Sequence, residues 1–198
     1  MTKKNIAKII SFIFDPALLA LIILIVAIFK SDMNNTDTIR WIIIAIVLNG
    51  FIPFLFYLYL TKKGYVFDAE LKNEEVHRQR IQMFLVFLVI VVIEFVYLLN
   101  TTSYQPLLAV FTGGMAAIVL TAGISYYWKI SLHSAMVTFF VTMILIIYGY
   151  VYWPIAVAIP LVAWSRLELK RHTIFQLIGG FLLALIIVSG TFIFYKLV

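Results

Sequence analysis

The chain has 198 residues, 64% of them apolar, and a mean hydropathy of +1.08, whereas soluble domains are apolar over only about half their length. Only 12% of residues are charged, and most of these fall in four clusters, at 3–8, 30–40, 62–80 and 166–171, with long uncharged runs between them. That pattern describes a polytopic helical membrane protein. It excludes a disulfide scaffold (there is no Cys), a nucleic-acid binder and a disordered chain.

Asp15-Pro16 has the form of an N-cap followed by a first-turn proline, so a helix is expected to begin there. Residues 3–14 then form an amphipathic surface helix, with Ile6, Ile9, Ile10 and Ile13 on one face and Lys4, Lys8 and Ser11 on the other. One long helix kinked at Pro16 is the alternative. The apolar run after Lys8 has no small-x-small exit and reads as an anchor rather than a signal peptide. Clear spans follow at 41–60, 82–99, 106–127 and 173–195. Residues 134–164 carry no charge and are too long for one crossing. Gly149 and the stretch 150–154 offer a turn, which divides this region into short helices at about 133–148 and 152–165. The expected fold class is all-α, a transmembrane bundle of about six to seven spans forming a single integral-membrane domain over residues 1–198.

Alternating the crossings puts twelve basic residues on the face that carries the N-terminus and leaves only Lys30, Arg40 and Lys196 on the other. By the positive-inside bias the basic face is cytoplasmic and the protein lies in the cell (inner) membrane. Omitting Lys72, Arg78, Arg80 and Arg166 as possible anion ligands still leaves eight against three, so the orientation does not depend on them.

The three histidines, His77, His133 and His172, all fall on that basic face, each with Lys or Arg close in sequence. Cations converging where helices begin form an anion site, because free N–H groups and the helix dipole both favour negative charge. At a membrane surface the obvious anion is phosphate. Glu94, deep in its span, is expected to make a structural hydrogen bond, and Asp15 to act as a cap. The aromatic residues near span ends read as interfacial belts, and Gly113-Gly114 and Gly179-Gly180 as sites of close helix packing.

Ser165-Arg166-Leu167-Glu168-Leu169-Lys170-Arg171-His172 has the form S-R-x5-H. It resembles the third signature motif of the type 2 phosphatidic acid phosphatase superfamily. Ile130-Ser131-Leu132-His133 resembles the second motif, P-S-G-H, keeping Ser and His but neither Pro nor Gly. The stretch 72–80 stands where the first motif, K-x6-R-P, belongs, but its arginines at 78 and 80 flank Gln79 and no Pro follows. The Asp that ends the third motif falls on Gln176, as it does in glucose-6-phosphatase-like branches of the superfamily.

The resemblance implies that His172 is a nucleophile that forms a phosphohistidine, oriented by Gln176 one helical turn on. It makes His133 the general acid and Arg166 the phosphate clamp. Ser131 acts either as an N-cap alone or as a cap that also holds a phosphoryl oxygen, and Ser165 belongs to the same phosphate-binding set. Lys72, Arg78 and Arg80 either complete the clamp or face solvent and lipid headgroups. The family is metal-independent, and neither a metal nor another cofactor is expected. The function expected is hydrolysis of a membrane lipid phosphate or diphosphate, with phosphatidic acid, phosphatidylglycerol phosphate and polyprenyl diphosphates all admissible. A lipid phospho-group transferase on the same site, and a non-catalytic lipid-binding or transport protein, are the alternatives. A homo-oligomer is compatible with all three.

Overall fold

The computed structural model describes residues 2–62, 74–101 and 104–198, with the side chains of 74–83 excepted. All the regular structure among them is helical. In chain order the elements are α1 (Lys3–Ile13), α2 (Pro16–Lys30), α3 (Asn35–Ile44), a π-helical stretch (Ala45–Phe51) and α4 (Ile52–Lys62). Then come α5 (Glu74–Thr101), α6 (Gln105–Tyr127), α7 (Leu132–Tyr148), a 3-10 segment (Tyr150–Val157), α8 (Ala158–Glu168) and α9 (Ile174–Phe194). Among the described residues six helical runs are long and apolar enough to cross a membrane: Lys3–Lys30, Asn35–Lys62, Phe84–Thr101, Gln105–Tyr127, Tyr150–Glu168 and Ile174–Phe194. The apolar α7 is shorter, at 17 residues, or about 26 Å of rise.

Local chemistry accounts for the main breaks. Asp15 accepts a hydrogen bond from the backbone N–H of Ala17 at 2.9 Å, and Pro16 opens α2, as the cap signal predicts. Gly149 closes α7 with φ of +91°, a conformation that L side chains rarely adopt. The next crossing begins as a 3-10 segment around Pro154, which has no N–H to donate, and becomes α-helical from Ala158. The division at Gly149 is therefore as expected, although α8 runs three residues past 165.

One irregularity gives no sequence warning. In an α-helix Pro53 would have to donate to the Asn49 carbonyl, and it cannot. The helix widens to π geometry over Ala45–Phe51, where the Ile52 N–H reaches back five residues to Val47. Asn49, in this widened turn, is buried and donates its side-chain amide to Glu94 Oε1 at 2.7 Å. Glu94, 1% exposed, thus makes the structural hydrogen bond expected of it.

α7 and α9 make the most extensive helix pair, with α6 packed against α9, α5 against α6, and α2 against α7 and α6. Gly180 allows the closest approach. A Cβ there would lie 2.5 Å from the Ser131 carbonyl and 3.2 Å from the Ala135 nitrogen. Gly179 lies under the Trp128 ring, and Gly113 faces Phe139 and Thr191. Gly114 differs from expectation, with open space where its Cβ would be. The main core includes Ile28, Leu98, Leu107, Met143, Val188 and Phe192. A second cluster, Leu19, Val137, Val141, Ala158 and Val162, joins α2, α7 and α8. Large apolar side chains elsewhere face outward, such as Phe175, Ile186 and Phe194, as a lipid-facing surface requires.

The N-terminal helix corrects an expectation about its faces. α1 packs along α8, and Ala7 is fully buried with Ser11 half-buried one turn further on. Ile6, Ile9 and Ile13 are exposed, while Ile10 packs on the second cluster. The small residues of the expected polar side thus meet the protein, because they let the two backbones come close.

Candidate functional site

The starts of α7 and α9, the end of α8 and the junction of α1 with α2 meet at one end of the bundle. Three backbone devices bring the side chains together there. α8 ends with Lys170 in the left-handed region (φ 55°), and the Arg171 N–H donates to the Arg166 carbonyl at 3.0 Å. This reverses the chain at the end of α8 and leads through His172 into α9. α9 then starts on a capping box. Thr173 Oγ1 accepts from the Gln176 N–H at 3.4 Å, and Gln176 Oε1 accepts from the Thr173 N–H at 3.1 Å. Finally, the Ser131 N–H donates to the Gln176 carbonyl, and Ser134 Oγ donates to the Leu177 carbonyl at 2.7 Å. These bonds tie the first turn of α7 to the first turn of α9.

Within this frame His172 Nδ1 lies 3.1 Å from Gln176 Oε1. Because that oxygen already accepts from a backbone N–H, it is an acceptor, and the hydrogen bond requires the proton of a neutral His172 to be on Nδ1. Nε2 then carries the lone pair. The pairing at i and i+4 is the one expected from the sequence.

His133, the second residue of α7, is half-buried and lies within electrostatic reach of both Arg166 and His172. Arg166 stands in the last turn of α8. Its Nη1 donates to Ser11 Oγ at 2.6 Å, and the same oxygen lies 3.3 Å from His133 Nε2. Arg166 Nε is buried and meets no acceptor among the described residues. The charges it feels are the repulsive guanidinium of Arg171 and the attractive carboxylate of Asp15. A half-buried guanidinium with one neutral hydroxyl partner and an unmet Nε–H is an incomplete donor set, and anions with paired oxygens fit such a fork.

Not every residue singled out from the sequence joins this cluster. Ser131 is fully buried and caps α7, its Oγ accepting from the Ser134 N–H at 3.4 Å. Ser165 is also fully buried and donates to the Val162 carbonyl at 2.9 Å. Both hydroxyls are engaged inside their own helices. Lys72 lies outside the described residues. Arg78 and Arg80 are in the first turns of α5, and their side chains lie outside them as well. Among the described residues no group of three or more His, Cys, Asp or Glu side chains is placed to hold a metal ion.

The chain has no match among family models, curated proteins or solved structures. The site therefore has to be read from its own chemistry.

Sequence reasoning missed Ser11, which it grouped with Lys4 and Lys8 on the polar face of a surface helix. The available signal was weak. Ser11 stands one turn after Ala7, and such a small-xxx-small step marks a face made for close packing.

Proposed function

We propose that the protein is an integral-membrane, metal-independent phosphatase of a lipid phosphate or diphosphate. The observation that carries this reading is the Arg166 guanidinium, half-buried and, among the described residues, lacking an acceptor at Nε, with His133 in electrostatic reach of both it and His172. A phosphoryl group supplies the acceptors that this donor set lacks, and the N-termini of α7 and α9 face the same end with favourable dipoles. Lys72, Arg78 and Arg80 are candidates to complete the clamp, with Ser131 and Ser165 supporting its backbone.

In this mechanism His172 Nε2 attacks phosphorus in line, forming an N–P bond as the bond to the leaving oxygen breaks. His133 gives its proton to that oxygen and then accepts a proton from water, which cleaves the N–P bond and releases inorganic phosphate. Gln176 holds His172 in the productive tautomer throughout, and Arg166 neutralises charge on the equatorial oxygens. The substrate is drawn from the cytoplasmic leaflet if the basic end is cytoplasmic, as the charge distribution favours.

The test is free-phosphate release by the purified protein from phosphatidic acid, phosphatidylglycerol phosphate and a polyprenyl diphosphate in excess EDTA. Turnover on at least one is expected. Transfer to an added alcohol without phosphate release would mark a transferase. Binding of a lipid without either product would mark a lipid-binding protein.

A further inference from the structure

We infer that Ser11 is a positioning residue of the site, linking Arg166 and His133 so that both are held before substrate arrives. The inference rests on the phosphatase reading, which does not itself involve α1. It starts from one oxygen atom. Ser11 Oγ accepts from Arg166 Nη1 at 2.6 Å and lies 3.3 Å from His133 Nε2. These residues come from α1, α8 and α7, separated in sequence by 155 and 122 positions. Both bonds are partly buried, and neither is needed to stabilise α1, whose start is capped by Thr2 and whose docked face is formed by Ala7.

The residue type suits the role. His133 must pass between a protonated and a neutral form during the proposed reaction. A hydroxyl can donate to the neutral ring and accept from the protonated one, so the same contact holds the imidazole in both states. A carboxylate at this position would pair with Arg166 and oppose an incoming phosphate. A hydroxyl fixes the guanidinium yet leaves its charge unneutralised. Ser11 is therefore matched to a neighbour that must stay cationic and one that must change its protonation state.

An inert packing role makes a different prediction. Alanine is the better helix former, and α1 already buries Ala7 against α8. If Ser11 only packs, Ser11→Ala is harmless to both folding and chemistry.

The experiment compares wild type, Ser11→Ala and Ser11→Thr in detergent, by lipid-phosphate hydrolysis, by inhibition with orthovanadate, and by the 15N resonances of His133. Ring nitrogens labelled at histidine are assigned with His77→Gln and His172→Gln variants. A hydrogen bond to a charged group is worth roughly ten- to a hundredfold in an equilibrium. Ser11→Ala is expected to weaken vanadate inhibition about tenfold or more, lower turnover and shift the His133 nitrogen resonances. Ser11→Thr is expected to restore all three. Wild-type values in Ser11→Ala, or tighter vanadate binding, would overturn the inference. The resonance shift separates the two claims. If wild type hydrolyses no lipid phosphate, the phosphatase reading fails, whereas an unmoved His133 resonance defeats the Ser11 contact whatever the activity.

Discussion

Gln176→Met removes a carbonyl oxygen that accepts two hydrogen bonds, one from the Thr173 N–H and one from His172 Nδ1. Each consequence has a magnitude. The capping box loses one of its two bonds while Thr173 Oγ1 keeps the other, so α9 should lose about 0.5–1 kcal/mol. The bond to His172 is neutral and half-buried, worth about 1 kcal/mol net, which is roughly a fivefold shift in the tautomer ratio. Turnover should therefore fall by up to about fivefold from tautomer population alone, and further if the ring also rotates. Gln176→Glu tests the opposite direction. A carboxylate accepts more strongly from Nδ1–H and is favoured in the first turn of a helix. Its turnover should match or exceed wild type. The assay is steady-state phosphate release, with thermal unfolding in detergent to measure the cap separately. A Gln176→Met variant with the expected loss of stability but wild-type turnover would refute the argument and leave Gln176 as a cap only.

Three further outcomes follow from the packing and the topology. Gly180→Ala puts a Cβ 2.5 Å from the Ser131 carbonyl and should destabilise by about 1–3 kcal/mol while displacing the turn that carries His133. Gly190→Ala, with open space at its Cβ, should be close to neutral, and equal thermal shifts for the two would contradict the packing. Glu94→Leu leaves the buried Asn49 amide without its acceptor and should cost about 1–3 kcal/mol, whereas Glu94→Gln keeps an acceptor and should cost less; the reverse order in denaturation would be contrary. For orientation, Thr36→Cys and Lys62→Cys lie exposed at opposite ends of one helical run in a chain with no other cysteine. In intact cells a membrane-impermeant maleimide should label position 36 and spare 62, and labelling of 62 alone would invert the topology.

What could be read from the sequence was what depends on neighbours within a turn or two. Asp15-Pro16, Gly149 and the His172–Gln176 pair all act over at most four residues, where helix geometry fixes who meets whom. The number of apolar runs was also legible, since a span needs only length and hydropathy. The remainder depends on how helices pack. Asn49 was unremarked because its partner Glu94 is 45 residues away, and because the π turn that goes with Pro53 depends on local rearrangement rather than periodicity. The contact of Ser11 was not legible because amphipathicity sets it opposite the isoleucines without saying which helix that face meets. In lipid, apolar side chains face outward at no cost, and small residues mark the contact instead. Burial likewise separates Ser131 and Ser165 from the cluster, although both stand beside its residues in the motifs.

The central claim is that His172 becomes covalently phosphorylated. A lipid phosphate carrying 32P, mixed with the purified protein and quenched in alkaline detergent within seconds, tests it most directly. The account predicts protein-bound label that survives alkali, is lost in mild acid as a phosphohistidine would be, and is absent from a folded His172→Ala variant that also fails to release phosphate. Label retained on His172→Ala, or undiminished phosphate release by it, would contradict the account.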